Sequence, residues 1–178
     1  DLCIDIAKKV NNDFGVDYFL KVTKHLIQKE FSWFMSLKDG SKKMSKSELS
    51  DLSRINLLDD KDQIINKIKK AKTDPLPMPK EIKELEGRLE AQNLLGIFAS
   101  LSNSTLETSI EKFACKNFSE FKQELSELLA YKIMPISEEI KKLLKDQSYL
   151  DSILLDGVEK ANKIASKKIK NMKEIIGF

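Results

Sequence analysis

Ser36-Leu37-Lys38-Asp39-Gly40-Ser41-Lys42-Lys43-Met44-Ser45-Lys46-Ser47 is the stretch on which the reading of this chain turns. It ends in two ammonium groups, Lys43 and Lys46, interleaved with the hydroxyls of Ser45 and Ser47. Two cations, two hydroxyls and the main-chain amides around them suit a polyphosphate. Lysines beside a departing pyrophosphate neutralise charge that grows as the bond to the α-phosphorus breaks. Gly40 is expected to let such a loop close over a nucleotide and reopen. The plainer alternative is a solvated Lys/Ser turn. The order Lys-Met-Ser-Lys-Ser, after a strand-like run and a glycine, favours the phosphate loop.

Working outward, Phe31-Ser32-Trp33-Phe34-Met35 is aromatic and short, as suits a last strand before the loop, and Tyr18-Phe19-Leu20 is a similar patch. Upstream, Leu2, Ile6, Val10 and Phe14 recur at helical spacing and Gly15 follows as a stop. Downstream, Glu48 to Leu52 suggests a helical turn and Arg54 to Leu58 a short strand. Asp59-Asp60 then opens a helix with Ile64, Ile65, Ile68 and Ala71 on one face and Lys67, Lys69, Lys70 and Lys72 on the other. Thr73-Asp74-Pro75-Leu76-Pro77-Met78-Pro79 cannot continue it and reads as a linker.

Beyond the prolines the periodicity is helical. Ala91 to Leu101 is apolar, and Ser104-Thr105-Leu106-Glu107 and Asn117-Phe118-Ser119-Glu120 look like capping boxes. A stripe from Phe118 to Leu143 passes Pro135, where a kink is expected. Leu154, Val158, Ala161, Ala165, Ile169, Met172 and Ile176 form a last stripe ending at Gly177, with Gly157, Ala161 and Ala165 small enough for close helix approach. The fold class is therefore mostly α with a small α/β part: the end of a nucleotide-binding domain over residues 1–74, then a helical bundle over 75–178.

Composition narrows the function. Of 178 residues, 41% are hydrophobic and 33% charged, a globular balance, and the net charge of +3 announces no bulk affinity for nucleic acid. Cys3 and Cys115 form no metal or disulfide framework, which suits the cytoplasm. With one histidine, His25, zinc-hydrolase and Ser-His-Asp sites have little to work with. Asp59, Asp60 and Asp62 read as a helix start rather than a metal site, and Cys115 as packing. No run approaches a membrane span and no signal peptide is visible. The lysines from Lys163 to Lys173 suit a solvated face or nucleic-acid phosphates equally.

Met35-Ser36-Leu37, a polar turn and then Lys42 to Ser47 resemble the tryptophanyl-tRNA synthetases of bacteria and mitochondria, whose second signature is KMSKS. Asp5-Ile6-Ala7 with Asn11, Lys69 to Asp74, Glu90 to Phe98, and Gly157 with Lys160-Ala161 and Ala165 are similar to further family stretches, on both sides of the signature and in the same order. The resemblance implies a Rossmann-type catalytic domain and an anticodon-binding helical domain. It assigns Lys43, Met44, Ser45, Lys46 and Ser47 to ATP, with Lys43 and Lys46 catalytic, and the main chain of Met35 to adenine. It implies ATP with Mg²⁺, L-tryptophan and tRNA(Trp) as substrates, and a homodimer. The HIGH signature is not among these residues, so the chain is expected to be a C-terminal half, inactive alone. Trp33-Phe34 depart from the family's usual Arg and small aliphatic residue. Two alternatives stay open: a tyrosyl-tRNA synthetase relative, or a non-catalytic helical module binding RNA or protein.

Overall fold

The computed structural model describes residues 2–16, 19–26 and 33–178. It is mostly helical with one two-stranded sheet. Two compact units divide the chain: residues 1–27 with 146–178, and residues 28–145. No described helix is long and apolar enough to cross a membrane.

In the first unit, α1 (Leu2–Asp13) stops at Gly15, whose φ of +61° is the left-handed conformation that glycine tolerates. Asn11 folds the following loop back by bonding both the N–H and the carbonyl of Leu20, each at 2.9 Å. Phe19 and Leu20 lie in a bend, not a strand, and Tyr18 is outside the described residues. The long final helix α6 (Gln147–Ile176) is capped by Asp146 and ends at Gly177 with φ +95°. None of its residues is buried, and nothing among the described residues lies within 4 Å of where a Cβ would stand on Gly157.

The second unit holds the core. Strands β1 (Met35–Ser36) and β2 (Asp39–Lys43) make an antiparallel hairpin, pairing Met35 with Lys43 and Ser36 with Asp39 around the turn Leu37-Lys38. Only Met35 of the expected 31–35 strand is in β1; Phe31 and Ser32 fall outside the described residues. The turn residue Leu37 is 2% exposed, because its N–H donates to the Ser53 carbonyl and its carbonyl accepts from Lys72. A 3₁₀ turn, Asp51–Ser53, stands where a helical turn is expected. Residues 54–58 form no strand: the Asn56 N–H donates to the Asp59 carboxylate, not to a neighbouring strand.

Helix α2 (Lys61–Lys69) begins with a capping box, Asp60 and Gln63 each bonding the other's main chain at 2.8 Å. The proline segment follows within the same compact unit. The Arg88 guanidinium grips the Asp74 carboxylate with two nitrogens, at 2.9 and 2.8 Å, and also donates to the Pro77 carbonyl. Met78, 1% exposed, plugs the segment into the core. Helices α3 (Leu89–Ser102), α4 (Leu106–Phe113) and α5 (Phe118–Leu143) then pack around Phe98, Phe113 and Phe121. Phe113 meets the other two edge-on, with centroids 4.8 Å from each.

The N-cap of α4 is Thr105, bonding the Thr108 N–H, one residue later than the sequence suggests. Asn117 caps α5 as expected, and the helix runs on through Pro135. Cys115 is exposed at φ +64° just past α4, rather than packed.

Candidate functional site

The loop of residues 43–47 grows directly out of β2. Lys43 is the last residue of that strand, and Met44 continues the pairing by donating its N–H to the Phe34 carbonyl at 2.9 Å. The chain then turns at Lys46-Ser47, where the Ser45 hydroxyl accepts the Ser47 N–H at 3.3 Å and meets the Ser47 hydroxyl at 2.9 Å. A side chain bonding the main chain two residues on is a serine turn, and it fixes the relative placement of the two hydroxyls.

Lys43, Met44, Ser45 and Lys46 line one cleft of about 1020 Å³, together with Trp33, Phe34, Ile55, Leu57, Leu58 and Ile140. Its volume is at the upper end of the roughly 300–1,000 Å³ common for small-ligand sites. Two ammonium groups, the Ser45 hydroxyl and several apolar side chains share its lining. Such a cleft can hold an anionic group and a flat ring at once. Met35 and Ser47, expected in the same set, do not line it. The main chain of Met35 is engaged elsewhere: the Asn93 side chain accepts its N–H at 2.9 Å and donates to its carbonyl at 2.8 Å.

The hairpin is bolted to α3. Gly40 is buried, and a Cβ on it would lie 2.9 Å from the Glu90 nitrogen, 2.9 Å from the Leu89 carbonyl carbon and 3.0 Å from the Leu89 Cβ. Its role is therefore close main-chain approach rather than the loop freedom expected of it. The Glu90 carboxylate pairs with Lys72 at 2.7 Å. That ammonium, with the main-chain N–H groups of Glu90 itself and of Gly40, holds the carboxyl below its ordinary range against the opposing effect of burial. Lys42 sits near Asp39 at 3.4 Å, and Asp39 is also lowered, chiefly by the Ser41 hydroxyl and N–H.

The cleft's far rim rests on a charged network. Lys67 is 3% exposed, and its Nζ reaches Asp59 at 2.6 Å and Asp51 at 2.7 Å. Arg54 and Asn56 both bond the other Asp51 oxygen, at 3.1 and 2.9 Å. Lys67 was placed by sequence on the solvated face of α2. The helix buries it because 64, 67, 68 and 71 form one stripe, and two carboxylates await it. Asp51 and Asp59 are thus committed to cations. No cluster of three or more His, Cys, Asp or Glu that could hold a metal ion exists among the described residues. His25 lies in an exposed loop.

A sequence profile of the tRNA synthetases class I (W and Y) matches residues 1–150. The tryptophan--tRNA ligase of Caulobacter vibrioides is 46% identical over 178 residues, covering all of this chain and 52% of the relative. Those of Brucella melitensis and Rickettsia felis are 42% and 45% identical, again across the whole chain and 55% and 53% of their own lengths. The chain spans about half the length of the curated relatives it matches. A tryptophanyl-tRNA synthetase structure from Mycoplasma pneumoniae shares the fold at a TM-score of 0.80 and 22% identity, over 98% of this chain and 53% of that one. One from Campylobacter jejuni, complexed with ADP and tryptophan, aligns at a TM-score of 0.64 and 26% identity, over 98% and 52%.

Proposed function

From its membership in the tRNA synthetases class I (W and Y), the family to which this chain belongs, we propose that these residues supply the ATP-gripping part of a tryptophan--tRNA ligase. The observation that carries the reading is the convergence of Lys43, Met44, Ser45 and Lys46 on one cleft with an apolar wall. Ligase relatives at 42–46% identity support tryptophan over tyrosine as the amino acid.

In the proposed reaction the carboxylate of tryptophan attacks the α-phosphorus of ATP, forming tryptophanyl-adenylate while pyrophosphate leaves. The adenylate then passes its acyl group to the terminal ribose of tRNA(Trp). Lys43 and Lys46 act on the β,γ-phosphates, where negative charge builds as the bond breaks, and Ser45 and Ser47 donate hydroxyls to phosphate oxygens. Removing one preorganised donor of this kind costs about 3–4 kcal/mol of transition-state stabilisation, or roughly a hundred- to a thousandfold in rate. Met35 and Met44 stand on the paired strands leading into the loop. Met44 faces the cleft and suits the adenine better than the main chain of Met35, which Asn93 occupies. Mg²⁺ would accompany the ATP on its phosphate oxygens, because the carboxylates of the cleft are already paired.

The proposed functional division falls at residue 74: a catalytic part carrying the loop at the end of a Rossmann-type domain, then helices that meet the tRNA anticodon. A homodimer in the bacterial cytoplasm completes the reading. The HIGH signature is not among these 178 residues, and the chain assayed alone is expected to show no tryptophan-dependent ATP–pyrophosphate exchange. Joining it to the part of the Caulobacter relative that it does not cover tests the assignment. Exchange with tryptophan supports it, and exchange with tyrosine instead overturns it.

A further inference from the structure

We propose that Trp33 is the resting seat of the Lys43 ammonium ion, from which a polyphosphate entering the cleft must draw it. The proposal rests on the reading of residues 43–47 as a phosphate loop. Its basis is the geometry of the hairpin. Met35 pairs with Lys43 and Phe34 bonds Met44, so carrying the register back two residues sets Trp33 diagonally across from Lys43 on the same face. That diagonal is within reach of an aromatic and a long side chain. The Lys43 Nζ stands 4.5 Å from the centroid of the Trp33 ring.

Nothing in the core accounts for this placement. Trp33 is 61% exposed, an unusual position for an indole, and it stands at the wall of the cleft that the loop lines. Lys42 next door pairs with Asp39, whereas among the described residues no carboxylate lies within 4.0 Å of the Lys43 Nζ. The negative face of the indole is therefore the group that orients this cation. An ammonium ion 4.5 Å above the ring turns part of its N–H surface to the indole, so a polyphosphate that engages all three of its N–H donors draws it off the ring. The contact is a holding position, and leaving it weakens phosphate binding by about two- to fivefold, the worth of an exposed cation–ring contact. In return the ammonium is kept at the cleft in one orientation.

Trp33 is the only tryptophan of the chain, so its emission reads the seat directly. The test titrates the 178-residue chain with inorganic pyrophosphate, followed in parallel by calorimetry and by Trp33 fluorescence, alongside Lys43→Met, Lys46→Met, Trp33→Phe and Trp33→Leu. The expected result has four parts. Wild-type emission shifts with the calorimetric midpoint. Lys43→Met starts at the shifted spectrum and stays there. Lys46→Met weakens binding without moving the ligand-free spectrum. Trp33→Leu binds about two- to fivefold tighter, with Trp33→Phe between. Binding without an emission change, or Trp33→Leu binding no tighter, overturns the seat while leaving the phosphate loop standing. Absence of any heat with the wild type overturns the phosphate loop itself and the seat with it.

Discussion

Replacing Asn93 with Asp changes one amide nitrogen for one oxygen and should unfasten the hairpin in a pH-dependent way. Asn93 is 9% exposed and spans Met35, accepting its N–H at 2.9 Å and donating to its carbonyl at 2.8 Å. A carboxylate keeps the first bond, loses the second, and points a charged oxygen at the Met35 carbonyl. The lost bond and the unpaired carbonyl together cost about 2–4 kcal/mol. Protonating the new carboxyl restores an O–H donor, so its proton affinity rises on folding. A group with a raised folded-state pKa contributes stability below its unfolded value, about 3.9, and loses it as pH climbs through the folded value. The deficit against wild type is therefore small near pH 4 and full by about pH 8. Urea unfolding followed by Trp33 emission measures it at each pH, with wild type as the reference so that shared titrations cancel. Asn93→Leu, which loses both bonds, should show a deficit that does not vary with pH. A deficit below about 0.5 kcal/mol for Asn93→Asp, the size of an ordinary surface change, would refute the bridge. So would one equal at both ends of the pH range.

The other contacts around the loop give independent checks. Gly40→Ala forces a methyl against the main chain of Leu89 and Glu90, and should lower stability by about 1–3 kcal/mol in the same denaturation assay. An unchanged midpoint would mean that the hairpin does not lie against α3. Lys67→Met strands the buried Asp59 carboxylate and should cost about 3–5 kcal/mol; adding Asp59→Asn should return much of it, the signature of a coupled pair in a double-mutant cycle. Glu90, held below its ordinary range by Lys72, its own main-chain N–H and that of Gly40, contributes stability above its unfolded pKa that fades as pH falls through the lower folded value. Glu90→Gln should therefore flatten the acid limb of the stability curve, and an equally steep limb would count against the contact.

How much of this the sequence carries can be judged residue by residue. The caps at Asp60 and Asn117 and the glycine stops at Gly15 and Gly177 are local features, written in neighbouring residues and readable there. Lys67 was half legible. Its place in the 64, 67, 68, 71 stripe marked it for burial, yet a lysine reads as solvated until a partner is known, and Asp51 lies sixteen residues away. Gly40 and Asn93 were not legible. Each acts on a main chain about fifty residues distant, and nothing in its own neighbourhood distinguishes a packing glycine from a hinge or an amide clamp from a surface polar residue. The supposed strand at 54–58 failed because a short apolar run does not say where its N–H groups go, and here one goes to a carboxylate.

The central claim is that Lys43 and Lys46 grip the phosphates of ATP on behalf of a tryptophan-activating enzyme. The measurement that meets it most directly is ATP–pyrophosphate exchange by this chain joined to the part of the Caulobacter relative that it does not cover, with and without Lys46→Ala. The account predicts exchange that depends on tryptophan and falls by roughly a hundred- to a thousandfold in the variant, with the fold intact by circular dichroism. Exchange that Lys46→Ala leaves unchanged, or that tyrosine supports and tryptophan does not, would contradict it.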